Sequence, residues 1–160
     1  MNDVSGDHLA ELQKQLVSII RTVPDWPKPG VHFRDITTLF QTPGLWAEVI
    51  AHFAERYKNE RIDAIAGMEA RGFIFGAALA HVMNVSFIPI RKKGKLPYKT
   101  ISEAYELEYG TAIVEIHIDA CRKGDKILLV DDLIATGGTL LAGQKLLQRI
   151  GADIIEAAVV

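Results

Sequence analysis

The sequence predicts an α/β domain with a mostly parallel central sheet flanked by helices. Several short segments are apolar without alternation, for example residues 64–67 and 127–130. Strands that are apolar at every position are typical of a parallel sheet covered by helices on both faces. Segments with apolar residues at helical spacing lie between several of these strands. The chain has 160 residues, enough for one domain with a substantial core, so a single domain over residues 1–160 is expected.

The individual elements follow from the spacing of apolar residues and from the breaks between them. Leucines and isoleucines at helical spacing predict an amphipathic helix over residues 8–22. Prolines and Gly30 follow the helix and predict an irregular arm. A second helix is predicted over residues 45–57. The remaining predicted elements are strands at 64–67, 85–90, 112–118, 127–130 and 154–160, and helices at 72–83 and 140–150. Ligands of such sheets bind beyond the carboxyl ends of the strands, so polar residues that follow a strand are candidate site residues.

Composition excludes several functional classes. Apolar residues make up 49% of the chain and charged residues 24%, and the net charge of −2 provides no basic field that would attract nucleic acid. No apolar run approaches the ~20 residues of a membrane span, and the first residues lack the pattern of a secretion signal. The single cysteine, Cys121, excludes an internal disulfide and fits a reducing compartment. A cytoplasmic protein without nucleic-acid or membrane partners is therefore expected.

Residues 126–141 are the most informative segment of the chain. A short buried strand ends in two adjacent carboxylates, Asp131 and Asp132, and the run Thr-Gly-Gly-Thr at 136–139 then opens a helix. The first amides of a helix lack internal partners and carry partial positive charge, so they suit a phosphate, and the glycines let it come close. Carboxylates instead suit sugar hydroxyls or a hydrated metal ion. The segment therefore predicts a site for a ribose 5-phosphate, and it matches neither a Walker A loop nor a dinucleotide fingerprint.

Two basic segments follow other strands of the predicted sheet. Arg71 lies in the turn after strand 64–67, where it either binds a phosphate through two hydrogen bonds or is a surface residue beside Glu69. The cluster Arg-Lys-Lys-Gly-Lys at 91–95 follows the next strand and is either a solvated face or a site for an anionic substrate. At the carboxyl end of a parallel strand the second interpretation is favoured, with Lys92 and Lys95 as the candidates.

Two further segments each allow two interpretations. Residues 96–104 are polar and lack a strong period, and Tyr-Glu-Leu-Glu-Tyr-Gly follows at 105–110. This segment is either an exposed hairpin or a mobile lid that excludes water from a site. In the irregular arm, Phe33 either fills the core or stacks on a flat base whose edge is read by backbone groups and Arg34.

Residues 126–141 closely resemble the motif with which type I phosphoribosyltransferases bind 5-phosphoribosyl 1-pyrophosphate (PRPP). In that family the two acids hold the ribose 2′- and 3′-hydroxyls, which implies this role for Asp131 and Asp132. The loop holds the 5′-phosphate, and its residues here are Ala135, Thr136, Gly137, Gly138 and Thr139. The implied fold is the type I phosphoribosyltransferase fold with a small N-terminal hood.

Two more segments resemble the parts of this family that handle the leaving group. The turn with Arg71 resembles its pyrophosphate loop, and the basic cluster implies that Lys92 and Lys95 help to bind pyrophosphate. Leu-Glu-Tyr-Gly at 107–110 resembles its catalytic loop. The resemblance implies catalytic positions for Glu108 and Tyr109, in addition to Arg71, with the first two in a mobile loop at 96–110.

The segment Pro-Gly-Val-His-Phe-Arg-Asp at 29–35 resembles the base-binding hood of the adenine-specific members of the family. This implies that His32, Phe33 and Arg34 contact the base, within a hood at 24–40. The family pattern continues past the last strand, so either a segment that completes the base pocket lies beyond Val160 or the pocket lacks one wall.

The resemblance implies transfer of the 5-phosphoribosyl group from PRPP to adenine, giving AMP and pyrophosphate in purine salvage. It also implies a homodimer, and Mg²⁺ as a cofactor held mainly by PRPP and water rather than directly by the protein. Two alternatives stay open: the same reaction with another purine such as hypoxanthine or xanthine, and a PRPP-sensing regulator without turnover. The hood segment argues against the first. The intact Leu-Glu-Tyr-Gly run, and a length that leaves no room for an added DNA-binding module, argue against the second.

Overall fold

The computed structural model describes residues 4–106 and 110–160 of the chain. The chain divides into two compact units, Met1–His52 and Phe53–Val160. The domain prediction for residues 1–160 stays a prediction. Along the described residues, no helix has the length and apolar character needed to cross a membrane.

The first unit carries helices around a two-stranded ribbon. Its elements are α1 (Val4–Ile19), β1 (Arg21–Pro24), β2 (His32–Asp35), α2 (Thr37–Phe40) and the start of α3 (Pro43–Arg56). The two strands pair antiparallel, with Val23 opposite Phe33. The helix predicted over residues 8–22 therefore ends earlier than expected, because its last residues pair with β2 instead. Asp35 fixes the end of the ribbon: hydrogen bonds from Thr37 and Arg21 lower its pKa to about 2.

The second unit is built on a six-stranded sheet. Its strands are β3 (Ala64–Met68), β4 (Ser86–Lys92), β5 (Thr100–Glu106), β6 (Thr111–His117), β7 (Lys126–Asp131) and β8 (Asp153–Val159), and its helices are α4 (Arg71–Met83) and α5 (Gly138–Arg149). The order across the sheet is β5-β6-β4-β3-β7-β8. The four strands β4, β3, β7 and β8 run parallel, whereas β6 pairs antiparallel with both β4 and β5. The predicted α/β class with a mostly parallel sheet is confirmed.

Close approach between helices and sheet forms the core of this unit. All five residues of β3 are buried, as the apolar run predicted. At Gly76 in α4, an added Cβ would lie 2.8 Å from a ring carbon of Phe87 and 3.5 Å from the Ile65 side chain. At Gly143 in α5, an added Cβ would lie 2.7 Å from the Met68 sulfur. Because Ile65 and Met68 differ by an odd number of positions in β3, their side chains point to opposite faces, so α4 and α5 cover the two faces of the sheet.

Strand β5 lies inside the segment for which no strand was predicted. It pairs with β6 from Thr100, opposite His117, to Glu106, opposite Thr111. Partly buried and exposed positions alternate along it, but Glu103 is partly buried and Ala104 is exposed, which explains why the hydrophobicity of the sequence showed no clear period. This part of the segment is therefore one arm of a hairpin. The hood at 24–40 and the mobile loop at 96–110 stay predictions as functional units.

Candidate active site

Two of the predicted site segments meet at the carboxyl edge of the parallel strands. Strands β3 and β7 are neighbours, with Gly67 opposite Val130, so the residues that follow them lie side by side. Arg71, in the first turn of α4, donates a hydrogen bond from Nε to Oδ2 of Asp132 and forms an ion pair with it. Asp132 is 5% exposed. The structure thus brings together an arginine that was predicted to bind pyrophosphate and an acid that was predicted to bind the ribose.

The other acid of the pair lies in a different environment. Oδ1 of Asp131 accepts a hydrogen bond of 2.9 Å from the Asp132 amide. Burial, the largest cause, raises the pKa of Asp131 to about 7. The negative charge of Asp132 adds to this rise, while the Asp132 amide and the charge of Arg71 oppose it. At Gly72 an added Cβ would lie 3.0 Å from the same oxygen, so the absence of a side chain there lets α4 begin against the acid pair.

The predicted phosphate loop leads directly into the N-terminus of α5. Ala135 and Thr136 are exposed, and the next three residues, Gly137, Gly138 and Thr139, are partly buried. Gly137 has a φ of 81°, in the left-handed region that favours glycine, and its carbonyl accepts the first helical bond at 3.0 Å. The Gly138 amide donates a long hydrogen bond of 3.5 Å to Oγ1 of Thr136. The loop therefore presents backbone amides and a hydroxyl at a positive helix end, which suits a phosphate.

Residues 91–95, here called the basic turn, are held by a carboxylate from the Arg71 segment. Glu69 accepts a 2.9 Å hydrogen bond from the Lys92 amide and contacts the Arg91 guanidinium at 3.3 Å. Burial alone would raise the pKa of Glu69, but these two groups outweigh it and leave the pKa below its ordinary value. The side chains of Lys92 and Lys95 are exposed. Sequence reasoning considered Glu69 only as a neighbour of Arg71, because its contact with the basic turn depends on how β3 and β4 pair.

Strand β5 packs against the helix that carries the phosphate loop. Glu103 forms ion pairs of 3.2 Å with both Lys145 and Arg149 of α5. An added Cβ at Gly138 would lie 3.2 Å from the Glu106 carbonyl oxygen. A cleft of about 550 Å³ lies beside this contact, lined by residues that include Tyr105, Glu106, Thr111, Thr136, Gly138 and Lys145. The hairpin therefore contacts the phosphate loop on one side. The predicted catalytic residues Glu108 and Tyr109 lie outside the described residues.

The predicted base-binding residues lie together on the ribbon of the first unit. His32 and Arg34 are exposed, and Phe33 is partly buried, so Phe33 is not a fully buried core residue. Its ring packs edge-on against Trp26, with 4.4 Å between the centroids. Arg34 donates a 2.7 Å hydrogen bond to Oγ1 of Thr22. An exposed edge with two aromatic rings is consistent with a surface that stacks on a flat ligand.

Comparison with known proteins identifies relatives over most of the chain. The model of the phosphoribosyl transferase domain matches residues 35–160. The adenine phosphoribosyltransferase of Methylibium petroleiphilum is 62% identical over 141 residues, which cover 88% of this chain and 72% of the relative. The crystal structure of the adenine phosphoribosyltransferase from Rhodothermus marinus is 46% identical with a TM-score of 0.88, covering 94% of this chain and 86% of that chain. The enzyme from Saccharomyces cerevisiae, complexed with an imino-altritol bisphosphate and adenine, is 35% identical with a TM-score of 0.85, covering 93% and 90%.

Proposed function

This chain belongs to the phosphoribosyltransferase family, and we propose that it transfers the 5-phosphoribosyl group from PRPP to adenine. The products are AMP and pyrophosphate, as in purine salvage. The observation that carries this proposal is the ion pair of Arg71 with Asp132 beside the phosphate loop at 135–139. An acid pair, a cation and a helix N-terminus lie at one edge of one sheet, and the relatives compared above are adenine phosphoribosyltransferases.

The acid pair and the phosphate loop hold the sugar in this proposal. Asp131 and Asp132 accept hydrogen bonds from the ribose 2′- and 3′-hydroxyls, as the family motif implies. The amides of Gly137, Gly138 and Thr139, with the Thr136 hydroxyl, bind the 5′-phosphate at the positive end of α5. Two fixed points at opposite ends of the sugar orient its anomeric carbon, which gains positive charge as the leaving group departs.

The pyrophosphate is received by the cations on the other side of the acid pair. Arg71 exchanges part of its contact with Asp132 for a phosphate oxygen, since a guanidinium offers several donors in a fixed geometry. Lys92 and Lys95 extend from the basic turn and add positive charge. The carboxylates of the acid pair are oxygen ligands of the kind Mg²⁺ prefers, and they would lie near an ion bound mainly through PRPP and water, which would supply positive charge to the leaving group.

The remaining roles rest on the family resemblance alone. Glu108 and Tyr109 act at the reacting carbon from a loop that excludes water, with the glutamate either handling a proton or positioning the base. His32, Phe33 and Arg34 contact adenine, for which the complex of the yeast relative with adenine is support. A homodimer in the cytoplasm completes the proposal, and in it Arg91 or a neighbouring lysine reaches the site of the other subunit.

A turnover assay tests the proposed reaction. The protein is incubated with PRPP and Mg²⁺ and, in separate reactions, with adenine, hypoxanthine, guanine or xanthine. AMP formation with adenine alone supports the proposal. Turnover of hypoxanthine, guanine or xanthine at a comparable rate overturns the adenine assignment, and PRPP binding without turnover of any base favours a regulator.

A further inference from the structure

One buried carboxylate of the described residues has no part in the mechanism above. Glu115 of β6 is 6% exposed, and the only other buried charged side chain in the described part of the chain is that of Asp132. Burial of a carboxylate is costly unless its oxygens are hydrogen-bonded. An apolar residue would be the ordinary choice at this position, since Val114 and Ile116 on either side are both buried. The contacts of Glu115 therefore need an explanation.

The two oxygens of Glu115 contact two different segments. Oε2 accepts a 2.9 Å hydrogen bond from the Gly94 amide in the basic turn. Oε1 accepts a 3.4 Å hydrogen bond from Oγ of Ser102 in β5. This is possible because β6 lies between β4 and β5, with Glu115 opposite Arg91 on one side and opposite Ser102 on the other. One side chain thus links the basic turn to the hairpin that contacts the phosphate loop.

The hydrogen bond to Gly94 completes the fixation of the basic turn. The amide of Lys92 is bound by Glu69, that of Lys93 by the Ile113 carbonyl at 3.0 Å, and that of Lys95 by the Lys92 carbonyl at 3.3 Å. Arg91 in turn donates a 2.9 Å hydrogen bond to the Lys95 carbonyl. The lysine side chains of the turn are exposed although each of these backbone amides is satisfied. The turn is therefore a fixed support for side chains that face solvent.

We propose that Glu115 is a positioning residue that fixes the basic turn, so that Lys92 and Lys95 are held for the leaving pyrophosphate. This inference rests on the proposed function for the role of the lysines. Glu115 does not contact the substrate in this proposal. It acts through the Gly94 amide, and through Ser102 it keeps β5 in register with the turn.

The test compares Glu115→Gln and Glu115→Leu with the control Glu156→Gln. Glu156 is a carboxylate of β8 that accepts hydrogen bonds from Tyr57 and Arg56 and has no described contact with the basic turn. Three quantities are measured on the full chain: the dissociation constant of magnesium pyrophosphate by calorimetry, exchange of the Gly94 amide by NMR, and KM for PRPP and for adenine. Thermal unfolding shows whether each variant is folded.

We expect Glu115→Leu, which removes both acceptor oxygens, to fold, to exchange the Gly94 amide faster and to bind magnesium pyrophosphate about tenfold more weakly. Glu115→Gln keeps one oxygen that can accept the Gly94 amide, so its effects on exchange and affinity should be smaller. KM for PRPP rises in parallel, whereas KM for adenine and all values of the control stay near the wild type. The proposal is overturned if Glu115→Leu has unchanged pyrophosphate affinity, unchanged Gly94 exchange or an equal rise of both KM values. It is also overturned if the wild-type protein does not bind magnesium pyrophosphate. If wild-type protein binds pyrophosphate but does not convert adenine, the adenine assignment alone fails and the positioning role is still decided by the titration.

Discussion

Arg71 is paired with Asp132, which lies 61 residues further along the chain. The pair joins the start of α4 to the end of β7 and places a guanidinium directly against the acid pair. Without substrate, the two residues therefore neutralise each other. In the proposed function, PRPP offers a phosphate to the arginine and hydroxyls to the acid, so its binding would replace one interaction with several.

Removing the arginine tests the ion pair. Arg71→Gln leaves the Asp132 carboxylate buried without its cation, so we expect the free energy of unfolding at pH 7 to fall by about 1–3 kcal/mol. The same change removes the proposed pyrophosphate contact, so KM for PRPP should rise by about tenfold or more. Urea unfolding and steady-state kinetics measure the two effects. Arg61→Gln removes an exposed arginine paired with Asp63 and serves as the control. If Arg71→Gln has the stability and the KM of the wild type, the assignment of Arg71 is contradicted.

The raised pKa of Asp131 predicts a pH dependence of PRPP binding. With a pKa of about 7 the carboxyl is protonated below neutrality, so PRPP affinity should increase as the pH rises through 7. The free energy of unfolding depends on pH in the opposite direction. The pKa of Asp131 is higher in the folded protein than in the unfolded chain, so the stability that Asp131 contributes is fully present below about pH 4 and is lost as the pH rises through 7. Binding titrations and urea unfolding between pH 4 and 9 measure both.

Three variants test the titration of Asp131 and the role of the acid pair. Asp131→Asn should remove the pH dependence of PRPP binding near 7, and the double variant with Asp132→Asn should also raise KM and lower turnover without unfolding the protein. Arg71→Gln should move the midpoint to higher pH, because the charge of Arg71 lowers the pKa of Asp131. A midpoint that is the same in all variants would show that PRPP itself titrates.

The left-handed backbone at Gly137 predicts a local effect on phosphate binding. Gly137→Ala should destabilise the loop by about 1 kcal/mol, because a side chain disfavours the φ of 81°, and should raise KM for PRPP more than KM for adenine. Gly124→Ala is a matched control, since Gly124 has a φ of 83° and open space around its Cβ position. Equal kinetic effects of the two substitutions would argue against a phosphate site at Gly137.

The catalytic loop yields a prediction from the family resemblance. Glu108→Gln and Tyr109→Phe should lower kcat at least about tenfold. PRPP binding should stay nearly unchanged, because the residues proposed to bind PRPP lie on other segments. Glu60→Gln, at an exposed glutamate outside this loop, provides a control. Hydrogen exchange over residues 97–109 should slow when PRPP, Mg²⁺ and an adenine analogue are bound. Full activity of both variants, with equal exchange in both states, would mean that the segment is only a surface hairpin.

Sequence reasoning succeeded where the signal is local. The apolar runs of β3 and β7 and the glycines at 137 and 138 are local signals, so the two strands, the turn at Gly137 and the start of α5 were predicted. Strands β1, β2 and β5 were missed, because each has mixed polarity and is defined by its partner strand.

The supports of the site could not be predicted for the same reason. Glu69 and Glu115 have no distinguishing feature in the sequence. They accept hydrogen bonds from the basic turn only because the folded sheet places β4 and β6 so that the turn lies beside them. The pairing of Arg71 with Asp132 could be predicted in part. Their meeting at one edge follows from parallel topology, but the contact itself depends on the neighbouring positions of β3 and β7 in the sheet.

The parallel pairing of β3 with β7 also determines when the site can form during synthesis. Asp63, just before β3, accepts a hydrogen bond from the amide of Lys126, 63 residues later. A nascent chain that ends before β7 contains Arg71 and the basic turn but lacks both acids and the phosphate loop. Closing so long a loop is slow compared with forming a helix or a hairpin. The proposed sugar and pyrophosphate subsites can therefore be complete only after residues 126–139 have been synthesised and β7 has paired with β3.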